Sequence, residues 1–437
     1  KMIISPSSLE IEEINRYLGI AVNVSYITIP NEPFAALARR VSLTNISKKK
    51  IDIEIIDGLP QIISFGITED LHKLMSRTME AWVKVSNLEN KAPFYALKVK
   101  PNDTPELEYV ERGNFYLACE MGKRAGRVLK PIVDPDIVFG ADGDISYPRV
   151  FAESKVFAPD GYQKTECRTP SAFAHTKFGL ASGETREIIS ITGNIKDIKG
   201  LNRIISKIKD RAYFEKKLSE NEDIIKGLQD TVFTKSSSNE FDHYCRQTFL
   251  DNLLRGGFPV TIDTPSGPFV FYAYARKHGD LERDYNSFLL QPSYYSQGNG
   301  AYRDINQNRR NDVLFNPDLK YDNISTFINA IQPDGFNPHQ IEGISLSLKS
   351  GSPVNAVKKV REFLKEPFTP GSLISFLETE GIMSKKRARE FLKDVLAISI
   401  KSDLARPGEG YWVDHWTYNL DLLEAYLLCY PENLKEL

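Results

Sequence analysis

The sequence predicts a β + α multidomain chain in which an antiparallel β-sandwich comes first and helices follow. Three observations predict it. Apolar residues recur with a period of two from Met2 to about Thr192, and after Gly193 the period lengthens to that of a helix. The chain also has 437 residues, too many for one ordinary core of on the order of 150 residues. The expected division is 1–194 for the sandwich, 195–235 for a helical linker and 236–437 for a helical domain.

The strands are read first. Val22, Val24 and Tyr26 alternate in VNVSYITIP, followed by Val41 and Leu43, and then by Ile51, Ile53 and Ile55. Each run turns one face inward and one outward, and 45–50 is a turn with a cationic tip. FYALKVK, GNFYLACEM and PRVFAES are further strand candidates. LASGETREIISITG closes the half with a Ser-Gly-Glu turn and a last strand through Ile188, Ile189 and Ile191. Lys1 opens the chain as though in the middle of this strand-rich region, so the sandwich is expected to lack its beginning.

Helices follow. Ile198, Leu201, Ile204, Ile205 and Ile208 fall on one stripe, with a second linker helix expected over about 221–230. Ser238 or Asn239 can cap a helix running to about Leu254. The rest reads as helical with long loops, the helices lying over 354–364, 370–380, 385–400 and 418–430.

Composition narrows the function. No apolar run approaches the ~20 residues that span a bilayer. Lys plus Arg (56) nearly cancels Asp plus Glu (58), so no general field draws in nucleic acid. The four cysteines are scattered and there is no HExxH or Cys/His cluster, so neither disulfide nor metal is assigned. With no targeting segment visible, the cytoplasm is the expected compartment.

Three loops combine glycine with side chains that grip a polyol: 253–261, 294–312 and 406–421. A sugar needs planar polar partners for its hydroxyls and aromatic platforms for its C–H faces. Arg303, Asp304, Asn306, Asn308 and Asp312 suit the first need; Tyr294, Tyr295, Tyr302, Trp412 and Trp416 suit the second. The same residues also suit ordinary loop packing and a plain Arg-Asp ion pair, and both readings stay open at this point.

In order along the chain, FAHTKFGLASGETREIISITG, CRQTFLDNLLRGGFP, SQGNGAYRDINQNRRND and EGYWVDHWTYNLDLLEAYL resemble the glycoside phosphorylases of the cellobiose phosphorylase kind, above all the large β-1,3-glucan phosphorylases. The resemblance implies that the helices of 236–437 are the first part of an (α/α)6 barrel. It further implies inverting phosphorolysis of a β-linked gluco-oligosaccharide, with inorganic phosphate as co-substrate and no cofactor. Arg303 and Asp304 then lie by the sugar transferred to phosphate. Arg309 and Asp312 follow with Tyr302, and Asp414, His415 and Trp416 face the same cavity. The family's proton-donating aspartate stands in a Trp-Asn-Asp type motif that does not occur before Leu437, so the general acid is expected outside this chain. A homodimer through the sandwich, or assembly with the rest of the same enzyme, is compatible with the resemblance. A noncatalytic glycan-binding protein and a hydrolase on the same barrel are the alternatives.

Overall fold

The computed structural model describes the chain except residues 102–104, 123–124, 142, 275–289, 291, 408–412 and 436, and the side chains of 69–70. It divides into two compact units, Lys1–Ile225 and Lys226–Leu437. The molecule is a mixed β/α protein whose described sheets are antiparallel. No helix among the described residues is long and apolar enough to cross a membrane.

The described residues of the first unit form two sheets. Among the described residues the larger runs, in spatial order, Met2–Ile4, Leu9–Asn15, Ile20–Thr28, Ala35–Asn45, Thr185–Ile195, Gly113–Met121, Phe94–Leu97 and Val83–Ser86. Gly126–Val128 pairs beside Gly113–Met121. The smaller sheet is Pro131–Ile132, Ala172–Leu180 and Ile51–Leu59. Strand alternation sorts the larger sheet into two cores. Tyr116, Ala118 and Ile188 face the smaller sheet, where Ala172 and Ala174 are buried and Ile51, Ile53 and Ile55 partly so. Phe115, Leu117, Ile189 and Ile191 face the other way, onto Leu201, Ile204, Ile208 and Phe214.

Those last residues belong to the stretch read as a linker. The helix Ile198–Ile208, capped by Asp197 on the Gly200 amide (2.6 Å), lays its apolar stripe on the sheet. Arg211–Gln229 follows, and in it the buried Lys217 pairs with Glu32 (2.9 Å) and Glu220 (2.8 Å). The turn after Ala35–Asn45 is built by Asn45, whose amide donates to the carbonyls of Lys49 (2.7 Å) and Leu180 (3.0 Å).

One strand expectation is corrected. PRVFAES forms a short helix, Arg149–Glu153. Pro148 stands just before it, where proline's fixed φ starts a helix, and Val150 and Phe151 pack onto a core with Phe139, Phe157 and Phe173.

The second unit is mainly helical, as expected, but carries strands where loops are expected, and the helix expected over 385–400 ends at Ala397, with Ser399 and Ile400 opening a strand. Phe258–Thr264 and Gly267–Ala273 form a hairpin, and Gly300–Ala301, Gln340–Leu348 and Ser399–Arg406 form a three-stranded sheet. Ser238 caps Asn239–Gly256, and Gly257 ends it at φ +89°. The hairpin, Gln340–Leu348 and the helices Lys358–Phe363, Pro370–Thr379 and Lys385–Ala397 share one core. Tyr302–Arg309, Asp312–Phe315, Asp322–Ile328 and Val413–Cys429 share another.

Candidate functional site

The three-stranded sheet aligns the starts of two helices. Ala301 pairs with Gln340, and Gln340 with Arg406. Tyr302–Arg309 begins immediately after Ala301, while Val413–Cys429 begins a few residues after Arg406. The two helices then run side by side in the same direction. Arg303 lies 4.0 Å from Asp414, Asn306 Nδ2 donates to Asn419 Oδ1 (2.6 Å), and Arg310 Nη1 donates to Asp421 (2.6 Å). Partners rise in number together along both helices, which is the mark of a parallel pair. Their N-terminal turns therefore meet, each bringing an acidic residue that complements the helix dipole there.

Along these first turns adjacent residues point about 100° apart, which separates core from surface. Tyr302 is buried between Phe327 (rings 5.2 Å apart, edge-on) and His415 (5.4 Å). Its hydroxyl donates to the Phe327 carbonyl (2.9 Å) and lies 3.0 Å from Asn419 Oδ1; burial pushes that hydroxyl's pKa up to about 12. His415 is likewise buried. The next position on the first helix and the preceding one on the second open outward: the Arg303 side chain is 31% exposed and that of Asp414 45%. Trp416, 39% exposed, lies on the same first turn as Asp414.

Arg303 Nε donates to Asp304 Oδ1 at 3.0 Å. Asp304 is 7% exposed, and its second oxygen, Oδ2, is buried without a hydrogen-bond partner among the described residues. A carboxylate oxygen accepts readily, so an unengaged one beside a half-exposed guanidinium is an unspent acceptor. Arg303, Asp304 and Asp414 thus form a connected guanidinium-carboxylate group at one end of the helix pair.

Arg309 and Asp312 lie apart from that group. Arg309 donates Nε to the Gly256 carbonyl (2.6 Å) and Nη2 to the Tyr274 hydroxyl, and its guanidinium sits 3.4 Å over the Tyr272 ring. Tyr272 donates its hydroxyl to Asp312 Oδ2 (2.9 Å) and accepts from Asn323 Nδ2 (2.7 Å). Desolvation pushes the Asp312 carboxyl up to about 7, against the opposing pull of the Tyr272 hydrogen bond and Arg309. Both residues are buried; they tie the end of Tyr302–Arg309 and the start of Asp312–Phe315 to the helix Asn239–Gly256 and the strand Gly267–Ala273.

The remaining candidates divide in the same way. Asn308 returns its amide to the Asp304 carbonyl (2.6 Å) of its own helix. Tyr294 and Tyr295 pack on the core around Phe271, with Tyr295 5.5 Å from that ring. Trp412 lies outside the described residues. Sequence reading missed Asn419, Tyr272, Tyr274 and Asn323. For Asn419 a signal existed: it stands four residues after His415, hence on the same helix face.

No family model matches the sequence, and no curated protein does. Among solved structures, one that is similar is named "Putative kojibiose phosphorylase from human microbiome", at 9% identity and a TM-score of 0.35. The match covers 74% of this chain and 34% of that one, so this chain spans about a third of that structure's length.

Proposed function

We propose that the chain belongs to an inverting glycoside phosphorylase acting on β-linked gluco-oligosaccharides, with β-1,3-glucan the first substrate to test. In this reading Arg303, Asp304, Asp414 and Trp416 form the sugar-binding wall at the open end of the first part of an (α/α)6 barrel. The observation that carries it is the buried Oδ2 of Asp304, unengaged among the described residues, beside the half-exposed Arg303. A sugar hydroxyl donating to that oxygen also lies within reach of the guanidinium as an acceptor, and Asp414 and Trp416 add a second acceptor and an apolar platform. The parallel helix pair supports the barrel reading, because an (α/α)6 ring needs its inner helices to run the same way. The ordered sequence resemblance supplies the reaction class.

The chemistry follows from the nucleophile. Phosphate is anionic near neutral pH, so it attacks the anomeric carbon without a carboxylate base, while one carboxylic acid protonates the departing glycosidic oxygen. Inversion at a β-glucoside then yields α-glucose 1-phosphate. The proposal assigns sugar binding, not the proton donor, to Arg303, Asp304 and Asp414. Arg309, Asp312, Tyr302 and His415 act from beneath, by fixing the helices that carry those three.

Titration of the 437-residue chain with laminari- and cello-oligosaccharides tests the site. Saturable binding weakened more than about tenfold by Arg303→Ala and by Asp304→Ala is expected, since each leaves a partner unpaired. Binding that both variants retain refutes the assignment. For the reaction class, a polypeptide containing this chain should release glucose 1-phosphate only when phosphate is supplied. Free glucose released without phosphate makes it a hydrolase, and binding without turnover makes it a glycan-binding protein.

A further inference from the structure

The β unit carries a cavity of about 440 Å³, within the range of small-molecule sites, that the sugar reading does not use. It opens where the Gly126–Val128 edge, the segment 129–132 and the strand Ala172–Leu180 meet. Lys91, Arg127, Lys130, His175 and Lys177 line it, with Asp160. Such a gathering of cationic side chains in a chain with net charge −2 is a local feature, not an echo of the composition.

Arg127, Lys130 and Lys177 are only partly committed among the described residues. Arg127 uses Nη2 on Glu120 (2.6 Å) and on Thr176 Oγ1 (3.2 Å). Lys130 reaches Asp160 at 2.9 Å, and Lys177 reaches Glu54 only at 3.4 Å. His175 is fixed by Glu54 on Nε2 (2.9 Å) and stands edge-on to Phe157, 5.1 Å between rings. Lys91, Arg127, Lys130 and Lys177 thus line the cavity with one carboxylate, Asp160, while Glu120 and Glu54 pair with Arg127 and Lys177 without being among its lining residues. Exposed ion pairs of this kind contribute little net stability, so the cations can turn to a stronger anion at small cost. A phosphoryl group fits them best: it offers several acceptor oxygens to an Arg fork and to lysines as point charges. Val128, Leu129, Ile132 and Pro159 supply an apolar wall for a small carbon skeleton.

We propose that this cavity is a second ligand site, for a phosphate dianion or a small phosphate monoester, separate from the Arg303 and Asp304 group. Calorimetric titration of the 437-residue chain at low salt, with inorganic phosphate and separately with glucose 1-phosphate, tests it. Saturable binding is expected, weakened by about tenfold or more in Lys130→Glu and in Lys177→Glu. Arg303→Ala and Lys84→Glu, the latter reversing a charge elsewhere on the β unit, should leave it within about twofold. Tighter binding of the ester assigns the site to a sugar phosphate, and equal binding assigns it to free phosphate; both support the proposal. It is overturned if neither probe saturates, if the two cavity variants bind like the parent, or if Lys84→Glu weakens binding as much as they do. Because Arg303→Ala separates the two sites, this proposal can fail while the sugar reading stands, and the reverse.

Discussion

Asp304 and Asp312 show how one residue type serves two ends within eight positions. Asp304 keeps one oxygen on Arg303 and, among the described residues, one unengaged, whereas Asp312 is enclosed with Tyr272, on whose ring Arg309 stacks. Burial raises the folded-state pKa of Asp312 from an ordinary 3.8 to about 7. The native state therefore holds a proton that the unfolded chain releases, and stability falls as pH rises from about 4 to about 7. The decline attributable to this group is at most about 4 kcal/mol. Asp312→Asn mimics the protonated side chain and still accepts from the Tyr272 hydroxyl. Urea unfolding of both proteins at about pH 5 and about pH 8 should show the parent losing stability relative to the variant as pH rises. Parallel profiles would mean that Asp312 stays ionised in the fold. Sequence alone placed Asp304 and Asp312 in one candidate group, because spacing along a segment does not reveal which carboxyl a neighbouring Tyr, here Tyr272 from a hairpin forty residues away, will enclose.

At the scale of elements, two helical glycines make the role of packing measurable. Gly371 is in the first turn of Pro370–Thr379, which Thr369 and Ser372 close with a reciprocal capping box. A Cβ there falls on the backbone carbonyl oxygen of Tyr294, which has no flexible end to yield. Gly227, in Arg211–Gln229, faces open space. Alanine ordinarily stabilises a helix by up to about 1 kcal/mol relative to glycine, and Gly227→Ala should do so. Gly371→Ala should instead cost about 1–3 kcal/mol, the price of overpacking. Thermal unfolding of the two variants checks the opposite signs; a stabilised Gly371→Ala protein would show that the Ser293 and Tyr294 segment gives way. The same distinction explains what could be read in advance. Strands with strict alternation, such as 20–28 and 185–195, and the stripe at 198–208 declare themselves. Gln340–Leu348 does not, since a register shift between Ile341 and Gly343 breaks its period. Ser399–Arg406 is mostly exposed and polar, so it carries no pattern to read. These are the strands that align the two site helices, so from residue pattern alone Arg303 and Asp414 read as two separate motifs, and the family resemblance is what implies one cavity for both.

At the scale of the whole molecule, each unit has cores of its own. The buried clusters of Lys1–Ile225 lie between its sheets and under its helices, and those of Lys226–Leu437 join the hairpin, the small sheet and the surrounding helices. A unit whose apolar residues are enclosed by its own elements has what it needs to fold, because burial of that surface is the main term opposing chain entropy. Residues 1–225 made alone should therefore give a β-rich circular dichroism spectrum and one cooperative urea transition. Both site helices, and the sheet that aligns them, belong to the other unit. The 1–225 fragment should consequently show no saturable binding of laminari- or cello-oligosaccharides, whereas the entire chain binds them and loses that binding on Arg303→Ala. Oligosaccharide retained by the folded fragment with the affinity of the entire chain would move the sugar site off the helix pair and onto the sandwich, and the reading of Arg303 and Asp304 would have to be abandoned.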